Sequence, residues 1–338
     1  MKNSKKSSSR INGKLVLLLA VVILLAAVLL NICLGASGMS LSRLWEALVS
    51  GPGTSSAARI LWYVRLPRTA ATLLSGAALA TAGAVIQKVL ANQLASPHII
   101  GVNAGAGLAV AVCSAIGLYT AWAVAGFAFA GALGATFLVV AIGRKIGAAR
   151  TTVVLSGVAV TACLSAVTEG ITTMVPDAAL ANADFRVGGF SSVNQSRLLP
   201  CAILVVAAVI VVCSLSHDLE VLSLGDDTAQ SLGIKVTPMR NFLLTMAALL
   251  AGTSVMIAGI LGFVGLIVPH IARKLIGNSS TLLLPFCAIT GAALVSVCDL
   301  AARMIFSPYE LPTGILLSAI GGPFFVWLLL KRREKKQT

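Results

Sequence analysis

GILGFVGLIVPHIAR, residues 259–273, closes an uncharged run that begins at Phe242 and ends at Ala272. The run is 31 residues long. That is too long for one helical crossing of a bilayer, which takes about 20 residues, and too short for two full crossings with a loop. It predicts one full span followed by a short, broken one. Gly259, Gly262 and Gly265 recur at every third position and Pro269 follows. The chain can therefore turn at Gly259 and pack a short helix closely on its neighbours. Irregular backbone at membrane depth is tolerated only where protein covers it or where it lines a water-filled cavity. The pattern points to a path through a membrane rather than to a simple anchor.

Composition agrees. Of 338 residues, 58% are hydrophobic and 11% charged, too little charge to cover a soluble surface. The net charge of +14 could indicate nucleic acid, but the basic residues gather at both ends and in short loops between apolar runs. That is the positive-inside distribution of a membrane protein. The seven cysteines, at 33, 113, 163, 201, 213, 287 and 298, form no CxxC pair and sit in or beside apolar segments. They read as small core residues, not as disulfides or metal ligands.

The expected fold is an all-α integral membrane protein of ten transmembrane helices, including the short broken one, with both termini cytosolic. Residues 1–14 form a basic cytosolic segment, 15–330 a single ten-helix domain and 331–338 a basic cytosolic tail. Leu15–Leu34 reads as the first span and not as a cleaved signal, because a signal peptide has a shorter apolar core ahead of its small-residue cleavage site. Arg65-Leu66-Pro67-Arg68 opens the second span, about Thr69–Leu90, whose Gly, Ala, Ser and Thr residues favour close helix approach or a polar path. A third span, about 98–118, follows a turn broken at Pro97. The Gly101, Gly105 and Gly107 spacing in that span serves packing, since no strand precedes it as a dinucleotide fingerprint requires. The outer segment 175–197 is long enough for a short surface helix. Placing both basic ends inside requires an even number of crossings, and it assigns every lysine to the cytosolic side. The outer side then receives only arginines: Arg43, Arg59, Arg65, Arg68, Arg186, Arg197 and Arg303.

Few residues in this chain could carry chemistry. No GxxxxGK[ST] phosphate loop is present, so any nucleotide hydrolysis belongs to a partner. His98, His217 and His270 are too scattered for a metal site. Glu169 and Asp299 are the only acids within the predicted spans. An ion-coupled carrier keeps ionisable groups near the midplane, so their scarcity favours an external energy source. Asp299 and Arg303, four apart, can pair on one helix face. Arg65 and Arg68 either snorkel at the interface or offer guanidinium forks to carboxylates of an acidic partner. Between two glycine stops, Asp226 and Asp227 favour the start of a short cytosolic helix within 223–236 that Gly233 ends.

These same residues carry a resemblance. RLPR at 65–68, NQLASPHIIGVNAGA at 92–106, LGDDTAQSLGI at 224–234, GFVGLIVPHIAR at 262–273, DLAAR at 299–303 and ELPTGI with GGPFF over 310–325 occur in this order. The chain resembles the FecCD-type permeases of ABC importers, which carry ferric siderophores, haem or vitamin B12. The resemblance covers about 65–330. It implies a ten-helix subunit in a bacterial cytoplasmic membrane that pairs with a second permease subunit, identical or a sister. It also implies two cytosolic ATPase subunits, which bind the ATP and Mg that this chain does not, and an extracytoplasmic substrate-binding protein. By the same resemblance Arg65, Arg68 and Arg303 meet acidic residues of that binding protein. Leu224, Gly225, Asp226, Asp227, Ala229, Leu232 and Gly233 would couple to the ATPase; from the broken-helix pattern itself, Gly259, Gly262, Gly265 and Pro269 are expected to serve the gate and its packing. Two positions depart from the family pattern: Gln93 replaces a proline, and Asn278-Ser279-Ser280-Thr281 replaces Asp-His-Arg after Gly277. The expected function is permease for a ferric siderophore, with a B12 or haem importer or an ion-coupled secondary carrier as rivals. No catalytic or metal residue is expected.

Overall fold

The computed structural model describes residues 13–34, 40–53, 55–147 and 149–337. The basic segment expected at the amino terminus lies outside the described residues except for its last two. Among the described residues the secondary structure is helical throughout, with no strand.

Helix α1 is Gly13–Cys33, followed by short α2, Leu41–Val49, and α3, Ser56–Ile60. A π-helical turn, Leu61–Arg65, joins α3 to α4, Leu66–Val89. The expected start of the second span at Thr69 is thus too late, because helix runs unbroken from Ser56 through the Arg65–Arg68 motif. Pro67 has no N–H to donate, and the wide turn before it absorbs the defect, with the Leu66 N–H reaching back five residues to the Leu61 carbonyl.

A 3-10 turn, Pro97–Ile100, leads into α5, Val102–Ala115. This third helix is shorter than expected, since Gly101 takes a left-handed φ of 83° and starts it late. Then come α6, Ala121–Ile146; α7, Arg150–Met174; α8, Pro176–Val187; and α9, Gln195–Ser214. Two short helices follow, α10, Ser216–Ser223, and α11, Asp226–Ser231. The chain finishes with α12, Val236–Ala258; α13, Val264–Ile276; α14, Ser280–Ile305; and α15, Thr313–Gln337. Helix α15 runs on through the expected tail boundary at 331.

Among the described residues seven helices, ending at Cys33, Val89, Ile146, Met174, Ser214, Ala258 and Ile305, are long and apolar enough to cross a membrane. Helix α5 and residues 313–328 of α15 are apolar but shorter.

Helix α4 is the most enclosed of the long helices and packs on α12, α13 and α14. Its small residues explain this position. A Cβ at Gly76 would stand 2.2 Å from the Gly291 carbonyl oxygen of α14, and one at Gly83 would stand 1.9 Å from that of Gly265 in α13. Only glycine allows backbones so near, and in lipid such approach supplies the dispersion that hydrophobic burial cannot. Helices α5 and α6 meet through a like pair, Gly105 and Gly131. Helix α8 is the short surface helix expected in the outer segment, and it buries one face, Ala178 and Asn182, against α5 and α7. By contrast α1, α7 and α9 turn most of their surface outward.

Candidate functional site

The expected turn at Gly259 is present. Helix α12 ends there with φ 71°, the next four residues are not helical, and α13 begins at Val264. Phe263 also takes a positive φ, 64°, an unusual conformation for a bulky residue, and its ring lies where any side chain on Gly321 of α15 would go. The freed backbone groups find partners on neighbouring chain. The Ile260 N–H donates to the Phe185 carbonyl at 3.0 Å, the Gly189 N–H to Ala258 at 2.8 Å and the Gly314 N–H to Gly188 at 3.2 Å. The end of α8, the α12–α13 break and the start of α15 are therefore one hydrogen-bonded knot, which makes irregular backbone tolerable in lipid. Of the four gate residues named from sequence, Gly259 supplies the turn and Gly265 the close approach to Leu79 and Gly83. Pro269 is buried within α13, and Gly262 has space around it.

The short helix expected around 226–233 is α11, set between Gly225 at φ 127° and Gly233 at φ 86°. Ala229 is buried under it, whereas Leu224 and Leu232 are 63% and 61% exposed. Two large apolar side chains thus flank a polar helix carrying exposed Asp227. Asp226 anchors the helix. Its carboxylate accepts from Arg240 at 2.6 Å and from Arg150 at 3.0 Å, while Arg150 also donates to the Leu222 carbonyl at 2.6 Å. Partial burial works to raise the Asp226 pKa, but Arg240 and Arg150 outweigh it and hold the carboxyl below its usual value. Helix α10 has its own anchor. Glu220 accepts the Ser280 backbone N–H at 2.6 Å and pairs with Lys88 of α4 at 3.3 Å. Burial again opposes, yet these partners keep Glu220 below the ordinary carboxylate range. Lys88 further donates to the Asn278 carbonyl, and Arg273 of α13 donates to Gln87. The α10–α11 hairpin is thereby tied through α4 to the short helix behind the break.

At the other end of α4, Arg65, Arg68 and Arg303 do come together, but they face inward at 3%, 7% and 6% exposure. Asp299, fully buried, holds Arg68 at 3.0 Å and Arg303 at 3.3 Å and accepts from Thr313 at 2.9 Å. Arg303 reaches Asn31 of α1 at 2.5 Å, Arg68 reaches Glu310 at 2.7 Å, and Arg65 caps the Ile32 carbonyl at 2.6 Å. The expected local pair of Asp299 with Arg303 exists, with Arg68 added to it. The expected platform of outward guanidinium groups does not form in this conformation. The rim instead shows Glu310, Tyr309 and the exposed Arg59. Gln93, at the family's proline position, is exposed, and the turn is fixed instead by the Leu94 N–H on the Asn92 side-chain oxygen at 3.0 Å.

Sequence reasoning passed over Lys88, Glu220, Arg150, Arg240 and Asn31. Two signals were available: Asn31 is the strongly polar residue of the first span, and Lys88 is a cation at the end of α4, where the nearest other charge on that helix is Arg68 at its start. Among the described residues no group of three metal-ligating side chains occurs.

Membrane-length helices around a hydrogen-bonded helix break define a multi-pass membrane protein of the transport class. The chain belongs to the FecCD transport family, whose profile matches residues 23–331. It is 37% identical, over 98% of both chains, to the Fe(3+)-citrate import system permease protein of Bacillus subtilis strain 168. It is 35% identical to the vitamin B12 import system permease protein of Shigella boydii, over 97% of this chain and 98% of that one. A solved structure of a metal-chelate type ABC transporter in an inward-facing conformation superposes with a TM-score of 0.84 at 27% identity, covering 94% of this chain and 99% of that one.

Proposed function

We propose that this chain is the permease subunit of a binding-protein-dependent ABC importer that takes up a ferric chelate of the siderophore type by alternating access. The likeness to the ferric-citrate permease along nearly the whole chain carries this reading. The geometry supports it: an exposed apolar-flanked helix, α11, sits at one end of α12 and a hydrogen-bonded helix break at the other. On this reading ten segments cross a bacterial cytoplasmic membrane, the seven long helices plus α5, α13 and α15, with both termini in the cytosol. Two separate ATPase subunits bind ATP and Mg and hydrolyse the nucleotide, so this chain is not an enzyme. They seat Leu224 and Leu232 in clefts, and their closure moves the α10–α11 hairpin. The push passes through Glu220–Lys88 and Gln87–Arg273 to α13 and the break at 259–263. A second permease subunit completes the pathway. An extracytoplasmic binding protein docks on the rim that Arg65, Arg68 and Arg303 support from below.

Cysteines placed at Arg59 and Leu224 in a cysteine-free chain would be labelled by an impermeant thiol reagent from opposite sides of the membrane. Labelling of both from outside the intact cell would remove the topology. Vitamin B12 is the second reading, because its permeases match as fully. Uptake of labelled cobalamin without uptake of any ferric chelate would decide for it.

A further inference from the structure

Helix α2 is nine residues long, too short to hold itself in water, where an isolated helix needs about 12–15 residues. Ser40 caps its start, accepting the Arg43 backbone N–H at 3.4 Å. The protein covers one of its sides, through buried Leu44 and Ala47. Ala47 packs with Ala58 of α3 and Leu61 of the π-helical turn, and Ile32 near the end of α1 closes that small core.

At about 100° of turn per residue, α2 presents three faces roughly a third of a turn apart. Leu44 and Ala47 make the face against the protein. Trp45, Leu48 and Val49 make the second, and all three are exposed, Trp45 at 71% and Val49 at 72%. Exposed Arg43 and Glu46 make the third. A helix with protein at its side, an apolar face below and charges above is built to lie in the plane of a membrane surface. The two charges on the third face are of opposite sign, so the seat relies on apolar burial and not on attraction to anionic headgroups.

Its depth is fixed from within the protein. The Trp62 indole N–H donates to the Ala47 carbonyl at 3.3 Å. Arg65, three residues on, donates to the Ile32 and Cys33 carbonyls at 2.6 and 2.9 Å. Helix α2 and the end of α1 are thus pinned to one stretch of helix about 5 Å long. Helix α1 turns Leu29 and Leu30 outward just before that end, so its end marks the edge of the hydrocarbon and α2 lies at that edge. Tyr63 and Val64 of the same turn are exposed as well. Tryptophan and tyrosine are the residues enriched at this depth, with an apolar ring in the lipid and a polar edge in the headgroups.

We propose that α2 is an in-plane interfacial helix whose Trp45, Leu48 and Val49 face seats in the outer phospholipid leaflet, with Arg43 and Glu46 turned to water. The proposal rests on the reading of this chain as a permease with α2 on its outer side, and adds a lipid contact to that reading. The seat steadies the turn from which Arg65 caps α1.

The test is tryptophan fluorescence of the full chain in phosphatidylethanolamine–phosphatidylglycerol vesicles, with acyl chains brominated either near the glycerol or near the methyl end. In a Trp122→Phe, Trp327→Phe background, the emission lost on adding Trp45→Phe belongs to Trp45. That emission should be blue-shifted and quenched more by the shallow bromines than by the deep ones. Arg43→Trp, added to Trp45→Phe, moves the reporter to the charged face, where emission should be red-shifted and escape quenching. Both positions are exposed, so the fold is not at stake in either variant. Water-like emission from Trp45 would overturn the seat and give this face to a soluble partner. Blue-shifted emission that no bromine quenches would overturn it in favour of a second copy of the chain. Equal quenching of the two reporters would overturn the orientation. Thiol labelling at position 59 from the cytosolic side would overturn the proposed topology, whereas the quenching judges the lipid contact by itself.

Discussion

The Phe185 carbonyl accepts the Ile260 N–H at 3.0 Å, fastening the last turn of α8 to the break between α12 and α13. Gly188 lies in the same knot, at φ 65° and with the Ile260 carbonyl oxygen 2.3 Å from where a Cβ would be. Gly188→Ala should therefore lower thermal stability and abolish uptake. Gly262→Ala, whose Cβ would meet only the Ser318 hydroxyl at 3.6 Å, should do neither. Equal behaviour of the two variants would show that the knot does not hold the break.

Asp226 joins the start of α11 to α7 and α12 through Arg150 and Arg240. Asp226→Ala frees the hairpin from those helices but leaves Leu224 and Leu232 in place. Uptake should drop about tenfold or more, equivalent to roughly 1.4 kcal/mol of lost coupling, while the permease still co-purifies with the proposed ATPase subunits. Undiminished uptake would show that the clamp transmits nothing.

Glu220 and Asp226 both have folded-state pKa values held below their ordinary ones. A carboxylate depressed in this way stabilises the fold fully above its unfolded pKa, about 4, and loses that contribution as pH falls through the lower folded value. Hydrogen exchange in residues 216–231 should be slow at pH 6 and accelerate below about pH 4, ahead of exchange in α4. Exchange that quickens as pH rises from 6 to 8, beyond the intrinsic base-catalysed rate, would contradict the assignment.

Asp299 is fully buried between two arginines. Neutralising it strands positive charge in the interior, a loss of about 3–5 kcal/mol for a broken buried pair. Asp299→Asn should melt well below the wild type in detergent. The exposed Arg59→Gln should melt with the wild type.

Helix seams give the last contrast. Gly83→Ala drives a methyl to 1.9 Å from the Gly265 carbonyl oxygen, whereas a Cβ at Gly134 meets nothing within 4 Å. Expression of folded protein should collapse for the first and persist for Gly134→Ala. A stable Gly83→Ala chain would mean that α4 and α13 separate at little cost.

The sequence by itself determined the membrane setting, the break at Gly259 and the α11 helix between Gly225 and Gly233. Each of these is written locally, in the length of an apolar run, in a backbone angle that only glycine adopts freely, or in charge near a helix start. It also showed that Asp299 and Arg303 could pair, because four residues on a helix bring side chains together. Only the tertiary structure decided that Arg68 joins them across 231 residues of chain and that the three arginines turn inward. It likewise decided that α8 turns Asn182 inward against α5 and α7, and that Glu220 meets Lys88. Those outcomes depend on which helices become neighbours, which is set by close packing at glycine seams far apart in sequence. No local period encodes that choice, and a buried charge takes whichever partner the packing brings within reach.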